Sequence, residues 1–130
     1  FIFATTTVIE SLYKKKYRRT IDLSEQELLD CFVDYDVCYD DIDDDYPETA
    51  LSYIKAKNGL MHESRYPYEA SGNYVGACPR EKRRAGNIKS YSQVKPTVKN
   101  PSHGQENAAL ISALKKGPII AGMYGSGGFS

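Results

Sequence analysis

The chain has 130 residues, and its 17 lysines and arginines are balanced by 17 aspartates and glutamates, so the formal net charge is zero. This length fits one domain, or one domain and part of another, with a sizeable core. Neutrality argues against a nucleic-acid binder that relies on bulk electrostatics, and no apolar run approaches the roughly 18 residues of a membrane span. We therefore expect a soluble globular protein. The opening residues show no secretory leader pattern, and we expect the true N-terminus to lie outside this sequence.

Residues 1–13 predict a core helix, because apolar side chains recur at helical spacing. The stripe comprises Phe1, Ala4, Val8 and Leu12, with Ile9 and Tyr13 beside it. We expect the helix to end near the basic run at 14–19, since cations are favoured at a helix C-terminus. We interpret this run as a solvated helix end in preference to a nucleic-acid patch.

Capping signals indicate two further helices. Ser24 followed by Glu27 forms a capping-box pattern before a short helix that runs through Cys31. Asp45 is suited to cap a third helix, for which Asn58-Gly59 is a good left-handed terminator.

The second half of the chain is less regular. Residues 60–89 are rich in Tyr, Gly, Pro and Arg, which predicts irregular structure. Weak alternation over 88–94 predicts a short strand, and the pattern of 105–116 predicts an amphipathic helix ended by Gly117-Pro118. We expect a buried strand at 119–124.

The inventory of catalytic side chains is thin. His62 and His103 are the only imidazoles in the sequence, and both lie in polar segments. We interpret them as surface histidines. A carboxylate pair for acid and base catalysis cannot be singled out from clustered aspartates without geometry.

The acidic run at residues 40–45 invites comparison with an EF-hand calcium loop. Asp41, Asp43 and Asp45 occupy its first, third and fifth positions. Tyr46 and Ser52 stand where the loop requires Gly and Glu, however, which excludes an EF-hand. A weaker, irregular calcium site stays open as an alternative, and we predict no metal.

Cys31, Cys38 and Cys78 make an odd number of cysteines. In an oxidising compartment, one thiol would be free or would pair outside the chain. In a reducing compartment, all three would be small buried residues. Their spacing lacks the close pairs and histidine partners of a zinc site.

Several motifs resemble one family. Residues Leu23 to Cys31 are similar to the Ser-Glu-Gln-Glu-Leu-aliphatic-Asp-Cys signature of papain-like cysteine proteases, which is highly specific. Residues 1–4 resemble the Trp-Ala-Phe-Ser/Ala sequence that follows the nucleophile in this family, with Phe1-Ile2 in place of Trp-Ala. Other landmarks match in order: Ile9-Glu10, Asn58-Gly59-Leu60, Glu63, Tyr66-Pro67-Tyr68-Glu69 and Gly117-Pro118-Ile119.

The resemblance implies an α+β fold of the papain-like type. Residues 1–92 would form the helical left domain without its N-terminal segment. Residues 93–130 would form the truncated beginning of the β-rich, barrel-like right domain.

The resemblance also implies that the parent protein is a cysteine endopeptidase without a cofactor. Its nucleophilic Cys would directly precede Phe1, with the oxyanion-binding Gln earlier still. The catalytic His and Asn would lie at or beyond Ser130, because they follow the Cys by about 130–150 residues. No catalytic residue falls within the chain, which alone would be inactive. Its partners would be a peptide or protein substrate and a propeptide or protein inhibitor.

The family pattern implies a disulfide between Cys31 and Cys78. Cys38 matches a cysteine whose partner precedes the nucleophile, and so would be unpaired here. The expected location is the secretory pathway, in a lysosome or vacuole or outside the cell.

Substrate-binding positions are implied by the same pattern. Tyr46 and Pro47 match an aromatic-Pro pair that lines a substrate pocket, and Gly122 matches the small residue on its opposite wall. Asp44 and Asp45 replace glycines that let the substrate backbone approach closely. We expect these aspartates either to favour substrates with Lys or Arg or to block the cleft.

Two rival functions stay open. The first is a papain-like protein that has lost catalysis and serves in binding, storage or defence, which the changes at Phe1-Ile2 and at the glycine positions favour. The second is a free-standing calcium-binding or structural module built on the aspartates.

Overall fold

The structure is a computed structural model. It describes residues 1–32, 46–69, 76–78, 83–95 and 102–122, apart from the side chains of Phe32, Tyr46 and His103. These ranges contain four helices: α1 (Ile2–Tyr17), α2 (Glu25–Phe32), α3 (Tyr46–Lys57) and α4 (His103–Leu114). None of them is long and apolar enough to cross a membrane.

Helices α1, α2 and α3 pack against one another in pairs around a single apolar core. Its buried members are Ile9, Leu23, Leu28, Ile54 and Leu60. Burial of each such side chain contributes about 1.5–3 kcal/mol relative to exposure. The core thus contains one residue from each of α1, α2 and α3, together with Leu23 from the segment after α1 and Leu60 from the segment after α3.

The buried face of α1 differs from the predicted stripe. Thr5, Thr6 and Ile9 are buried, whereas Phe1 and Leu12 are about two-fifths exposed. The neighbouring helices cover only one side of α1, so much of the apolar stripe remains at the surface of the described part. The buried threonines are tolerated because the Thr5 hydroxyl donates to the Phe1 carbonyl at 2.9 Å, which removes an unpaired polar group.

Both α1 and α3 end as predicted. Arg18 adopts a left-handed conformation after α1, and its N–H donates to the Lys14 carbonyl at 2.9 Å. Asn58 and Gly59 have φ angles of 68° and 114° after α3. A Cβ on Gly59 would lie 2.1 Å from the Ala85 carbonyl oxygen, so a side chain is excluded by contact as well as by conformation.

The capping box of α2 is only half formed. The Glu27 N–H donates to Ser24 Oγ at 3.0 Å, as predicted. The Ser24 N–H instead donates to the Met61 carbonyl at 2.9 Å, because the Glu27 carboxylate points into the interior.

Helix α4 begins two residues before the predicted start and stands apart from the other three helices. The Lys15 ammonium donates to the Lys116 carbonyl at 2.6 Å, which ties the end of α4 to α1. Leu110, Ile111 and Leu114 are about two-fifths to just over one-half exposed.

The strands predicted at 88–94 and 119–124 do not form over their described residues, 88–94 and 119–122. In the described ranges, the only β pairing consists of two isolated antiparallel bridges, Leu23 with His62 and Leu60 with Ala85. A strand needs a neighbouring strand for its backbone hydrogen bonds, and neither predicted segment has one there. The helical part of the predicted α+β fold is therefore present, while a β-rich right domain is not shown.

Candidate functional site

Threonine side chains fix the first turn of α1, which follows the position at which the resemblance places the nucleophile. The Phe1 carbonyl accepts hydrogen bonds from the N–H and the hydroxyl of Thr5, each at 2.9 Å. The Thr6 hydroxyl lies 3.0 Å from the Phe3 carbonyl and 2.7 Å from Glu25 Oε1 on α2. The turn is thus rigid within itself and bonded to the neighbouring helix.

The segment around Tyr68 lies beside this turn. The rings of Phe3 and Tyr68 meet edge to face with centroids 5.2 Å apart, which is a favourable aromatic geometry. The Tyr68 N–H donates to Glu63 Oε1 at 2.7 Å, which holds the backbone in place. Two landmarks of the family pattern therefore meet in space.

Glu27 links three separate segments through one buried carboxylate. Its oxygens accept from the Met61 N–H at 2.5 Å, from Arg84 at 2.7 and 3.0 Å, and from the Tyr53 hydroxyl at 3.2 Å. The side chain of Glu27 is fully buried and that of Arg84 is 11% exposed. A charge in such surroundings is tolerated only because it is paired and hydrogen-bonded.

The ionisation of the neighbours reflects this burial. Burial raises the pKa of Tyr53 to about 12, and the charge of Glu27 adds to the rise. Burial alone would lower the pKa of Arg84, but the hydrogen bonds and charge of Glu27 outweigh it and raise that pKa. Tyr53 therefore stays neutral and Arg84 stays charged across the physiological range.

Asp30 and Gln26 on α2 hold a second pair of segments. Asp30 accepts from the Gly76 N–H and from the Tyr66 hydroxyl, each at 2.6 Å. Gln26 donates to Asp30 at 2.9 Å and accepts from the Glu69 N–H at 2.9 Å. Gln26 and Asp30 of the signature segment thus bond α2 to residues 66–69 and to Gly76.

A disulfide joins Cys31, at the end of α2, to Cys78 across 47 positions of sequence, with the Cα atoms 4.7 Å apart. This is the pair that the family pattern implies. It lies beside the contacts of Asp30, so that residues 76–78 are attached to α2 both covalently and by hydrogen bonds. Cys38 lies outside the described residues.

The described residues do not test the predicted substrate pocket. Tyr46 begins α3 and Pro47 follows it, half-buried, in the first turn. Gly122 is exposed, and apart from Gly122 and its chain neighbours no atom of the described residues lies within 4 Å of a Cβ built on it. Asp44 and Asp45 lie outside the described ranges, so the pocket remains a prediction.

His62 is exposed, as predicted, and its Nδ1 lies 2.9 Å from Ser64 Oγ and accepts from the Ser64 N–H at 3.2 Å. The side chain of His103 and the acidic run at 40–45 lie outside the described part. Within that part, no group of three or more His, Cys, Asp or Glu side chains is arranged to hold a metal.

Sequence reasoning missed two features of this region. Thr5 and Thr6 lie outside the predicted apolar stripe, although they are buried and bonded to backbone carbonyls. Arg84 belongs to a segment predicted to be irregular, and no local pattern marks it as the partner of Glu27. The one signal in the sequence for a basic partner was the charge of Glu27, because its helix position faces the interior.

Comparison with known proteins identifies the family. A sequence model of the family described as "Papain family cysteine protease" matches residues 1–130. Cysteine proteinase 3 of Entamoeba histolytica is 30% identical over 124 residues, which cover 95% of this chain and 35% of that protein. Cathepsin 7 of Mus musculus is 32% identical over 124 residues, covering 95% of this chain and 34% of that protein.

Caricain of Carica papaya is 33% identical over 117 residues, which cover 90% of this chain and 30% of that protein. The chain thus spans about a third of the length of the curated relatives that it matches. Because the family match covers the whole chain and agrees with the signature on α2, the chain belongs to the papain family of cysteine proteases.

Proposed function

We propose that the full-length protein is a cysteine endopeptidase whose nucleophilic Cys directly precedes Phe1 and whose His and Asn lie beyond Ser130. The observation that supports this most is the first turn of α1, which Thr5 and Thr6 fix and bond to α2. A thiol is activated when it is held at a helix N-terminus beside an imidazolium, since both stabilise the thiolate.

The chemistry follows from that placement. The thiolate would attack the carbonyl carbon of a peptide bond, and hydrogen-bond donors would stabilise the resulting oxyanion. The imidazolium would protonate the departing amine, and water would then hydrolyse the acyl-enzyme and regenerate the thiol. Residues 1–130 alone would be inactive, because this mechanism needs groups from outside them.

We propose the same division of the protein as the family pattern implies, with a helical left domain at 1–92 and the beginning of a right domain at 93–130. The packing of α1, α2 and α3 around one core supports the first unit. Tyr46, Pro47 and Gly122 would line the substrate pocket between the two. A small residue such as Gly122 would leave room for an apolar or aromatic substrate side chain.

The compartment is proposed to be oxidising, either along the secretory pathway or in a lysosome or vacuole. The disulfide between Cys31 and Cys78 supports this, because such bonds persist outside the reducing cytosol. A propeptide or protein inhibitor that covers the cleft is the further partner we propose.

The function is tested by incubating the full-length protein with a peptide library under mildly reducing conditions, with and without prior alkylation of its thiols. We expect cleavage that alkylation abolishes and a preference for substrates that carry Lys or Arg, since Asp44 and Asp45 would attract them. The double variant Asp44→Gly/Asp45→Gly should lose the preference. Cleavage that resists alkylation would contradict the cysteine mechanism, and an unchanged profile in the double variant would contradict the role of the aspartates.

A catalytically inactive papain-like protein is the second candidate. It is favoured by Phe1-Ile2, which replaces the Trp-Ala of the family pattern next to the nucleophile, and by the aspartates at the glycine positions. In that case, the residue before Phe1 would differ from Cys, and the library would remain uncleaved.

A further inference from the structure

The C-terminal end of α1 belongs to a strongly basic face. The chain as a whole is neutral, yet residues 11–21, 86–95 and 107–122 contain no aspartate or glutamate. The Lys15 ammonium donates to the Lys116 carbonyl at 2.6 Å, which brings the end of α4 to α1. The basic face comprises the exposed residues Lys14, Lys15, Lys16, Arg18, Arg19, Lys89, Lys115 and Lys116. Nearly half of the 17 lysines and arginines are thus gathered in it.

A groove between α1 and residues 86–90 lies within the basic face. Its cavity has a volume of about 260 Å³, and Ile9, Leu12 and Ile88 contribute apolar side chains to its lining. Lys16 lines the groove from α1 and Lys89 lines it from the facing segment, which places Lys89 beside the end of the helix. The groove therefore offers apolar contact and two cations to the same ligand.

Two tyrosines of α1 complete the lining of this groove. The ring centroids of Tyr13 and Tyr17 lie 4.6 Å apart, and the Lys16 ammonium lies 4.9 Å from the centroid of the Tyr17 ring. Tyr17 is about half exposed, and Leu12 is about two-fifths exposed. Tyrosine favours the boundary between lipid and water, because its ring is apolar and its hydroxyl is polar.

The cations of the basic face are accessible to an anionic partner. Among the described residues, no carboxylate forms an ion pair with any of them. Like charges that lie close together repel one another, and a surface of opposite charge offsets this repulsion. A membrane with anionic head groups provides negative charge and apolar contact together, whereas a soluble polyanion provides mainly the charge. The combination of cations with Leu12 and Tyr17 therefore favours a membrane.

We propose that the basic face docks the protein on the surface of anionic phospholipid membranes. Lys16 and Lys89 bind head-group phosphates at the groove, and Leu12 and Tyr17 enter the interface. The other cations of the face are attracted by the negative surface potential, and each cation strengthens partitioning onto the membrane about fivefold. Docking needs no peptidase chemistry, so it is independent of the proposed function.

The test measures co-sedimentation of the full-length protein with vesicles. One set contains phosphatidylcholine alone, and the other contains phosphatidylcholine and phosphatidylserine in equal parts. We expect binding to the anionic vesicles only, and this binding should weaken as the salt concentration rises, because salt screens exposed charges. The double variant Lys16→Gln/Lys89→Gln should bind the anionic vesicles about 25-fold more weakly than the parent. Equal binding of the parent to both sets of vesicles would overturn the proposal.

The matched control is Lys55→Gln/Lys57→Gln, which removes two exposed cations from the last turn of α3. It changes the net charge by the same amount and leaves the basic face intact. We expect it to bind the anionic vesicles nearly as well as the parent. An equal loss of binding in the two double variants would show that net charge alone is responsible, and would overturn the assignment to this face.

A further variant separates a membrane from a soluble polyanion. Tyr17→Ser keeps every cation, so it should bind the anionic vesicles more weakly than the parent and bind heparin, a sulfated polysaccharide, as the parent does. Binding of the parent to heparin but not to anionic vesicles would overturn the proposal, as would an unchanged affinity of Tyr17→Ser for the vesicles. None of these readouts uses peptide cleavage, so docking and the proposed function can fail separately.

Discussion

Replacement of Glu27 by alanine is expected to lower the free energy of unfolding by about 3–5 kcal/mol, as found when one partner of a buried ion pair is removed. The carboxylate binds Arg84 at 2.7 Å and the Met61 N–H at 2.5 Å, and its side chain is fully buried. Alanine would remove the Glu27 acceptor from the largely buried Arg84 guanidinium and from the buried Met61 amide. The loss is measured by urea denaturation.

The control is Glu48→Ala, which removes an exposed carboxylate near the start of α3 and should change the free energy of unfolding by less than about 0.5 kcal/mol. Arg84→Ala should approach the effect of Glu27→Ala, since it leaves the same pair broken from the other side. Stability close to that of the parent in both Glu27→Ala and Arg84→Ala would show that the pair does not anchor these segments.

Replacement of Cys31 and Cys78 together by serine is expected to lower the free energy of unfolding by about 4 kcal/mol in the chain-entropy model. The bond closes a loop of 47 positions. Its loss therefore lowers stability mainly by raising the conformational entropy of the unfolded chain. Residues 76–78 would then lose their covalent attachment to α2 and keep hydrogen bonds such as the one from the Gly76 N–H to Asp30. Denaturation of the parent and the double variant in oxidising buffer measures the difference.

A reductant provides the matched control for this pair. Reduction should destabilise the parent by about that amount more than the double variant, because only the parent has the bond between Cys31 and Cys78 to lose. A parent that is insensitive to reductant, with a variant of equal stability, would contradict the pairing of Cys31 with Cys78.

Local signals predicted the helix boundaries well. Asn58-Gly59 ends α3 because the residues themselves favour the left-handed conformation, whatever surrounds them. The cations at the end of α1 likewise match the carbonyl end of a helix, and Arg18 completes that end. Features decided by a few adjacent residues can be read from a sequence.

Features decided by distant parts of the chain could not be predicted in this way. The apolar spacing of α1 favours burial of Phe1 and Leu12, yet the positions of α2 and α3 bury Thr5 and Thr6 instead. Glu27 was assigned to a cap, although its partners come from residues 53–84. The strand predicted at 88–94 does not form, because an alternation of apolar and polar residues does not provide the neighbouring strand that a β-strand needs.

The same difference between local and long-range features applies to the candidate site. The signature on α2 identified the family, because its side chains are a continuous run with a structural contact for almost every polar member. The substrate pocket that we propose would depend on how Pro47 and Gly122 are placed relative to each other, which a one-dimensional pattern does not determine.

The most direct test of the account is to treat the full-length protein with a peptide that bears a thiol-reactive electrophile and to locate the adduct by mass spectrometry. The account predicts one adduct on a cysteine directly before Phe1, with loss of peptide cleavage in proportion to labelling. A residue other than Cys at that position, or cleavage that persists after full labelling there, would contradict it.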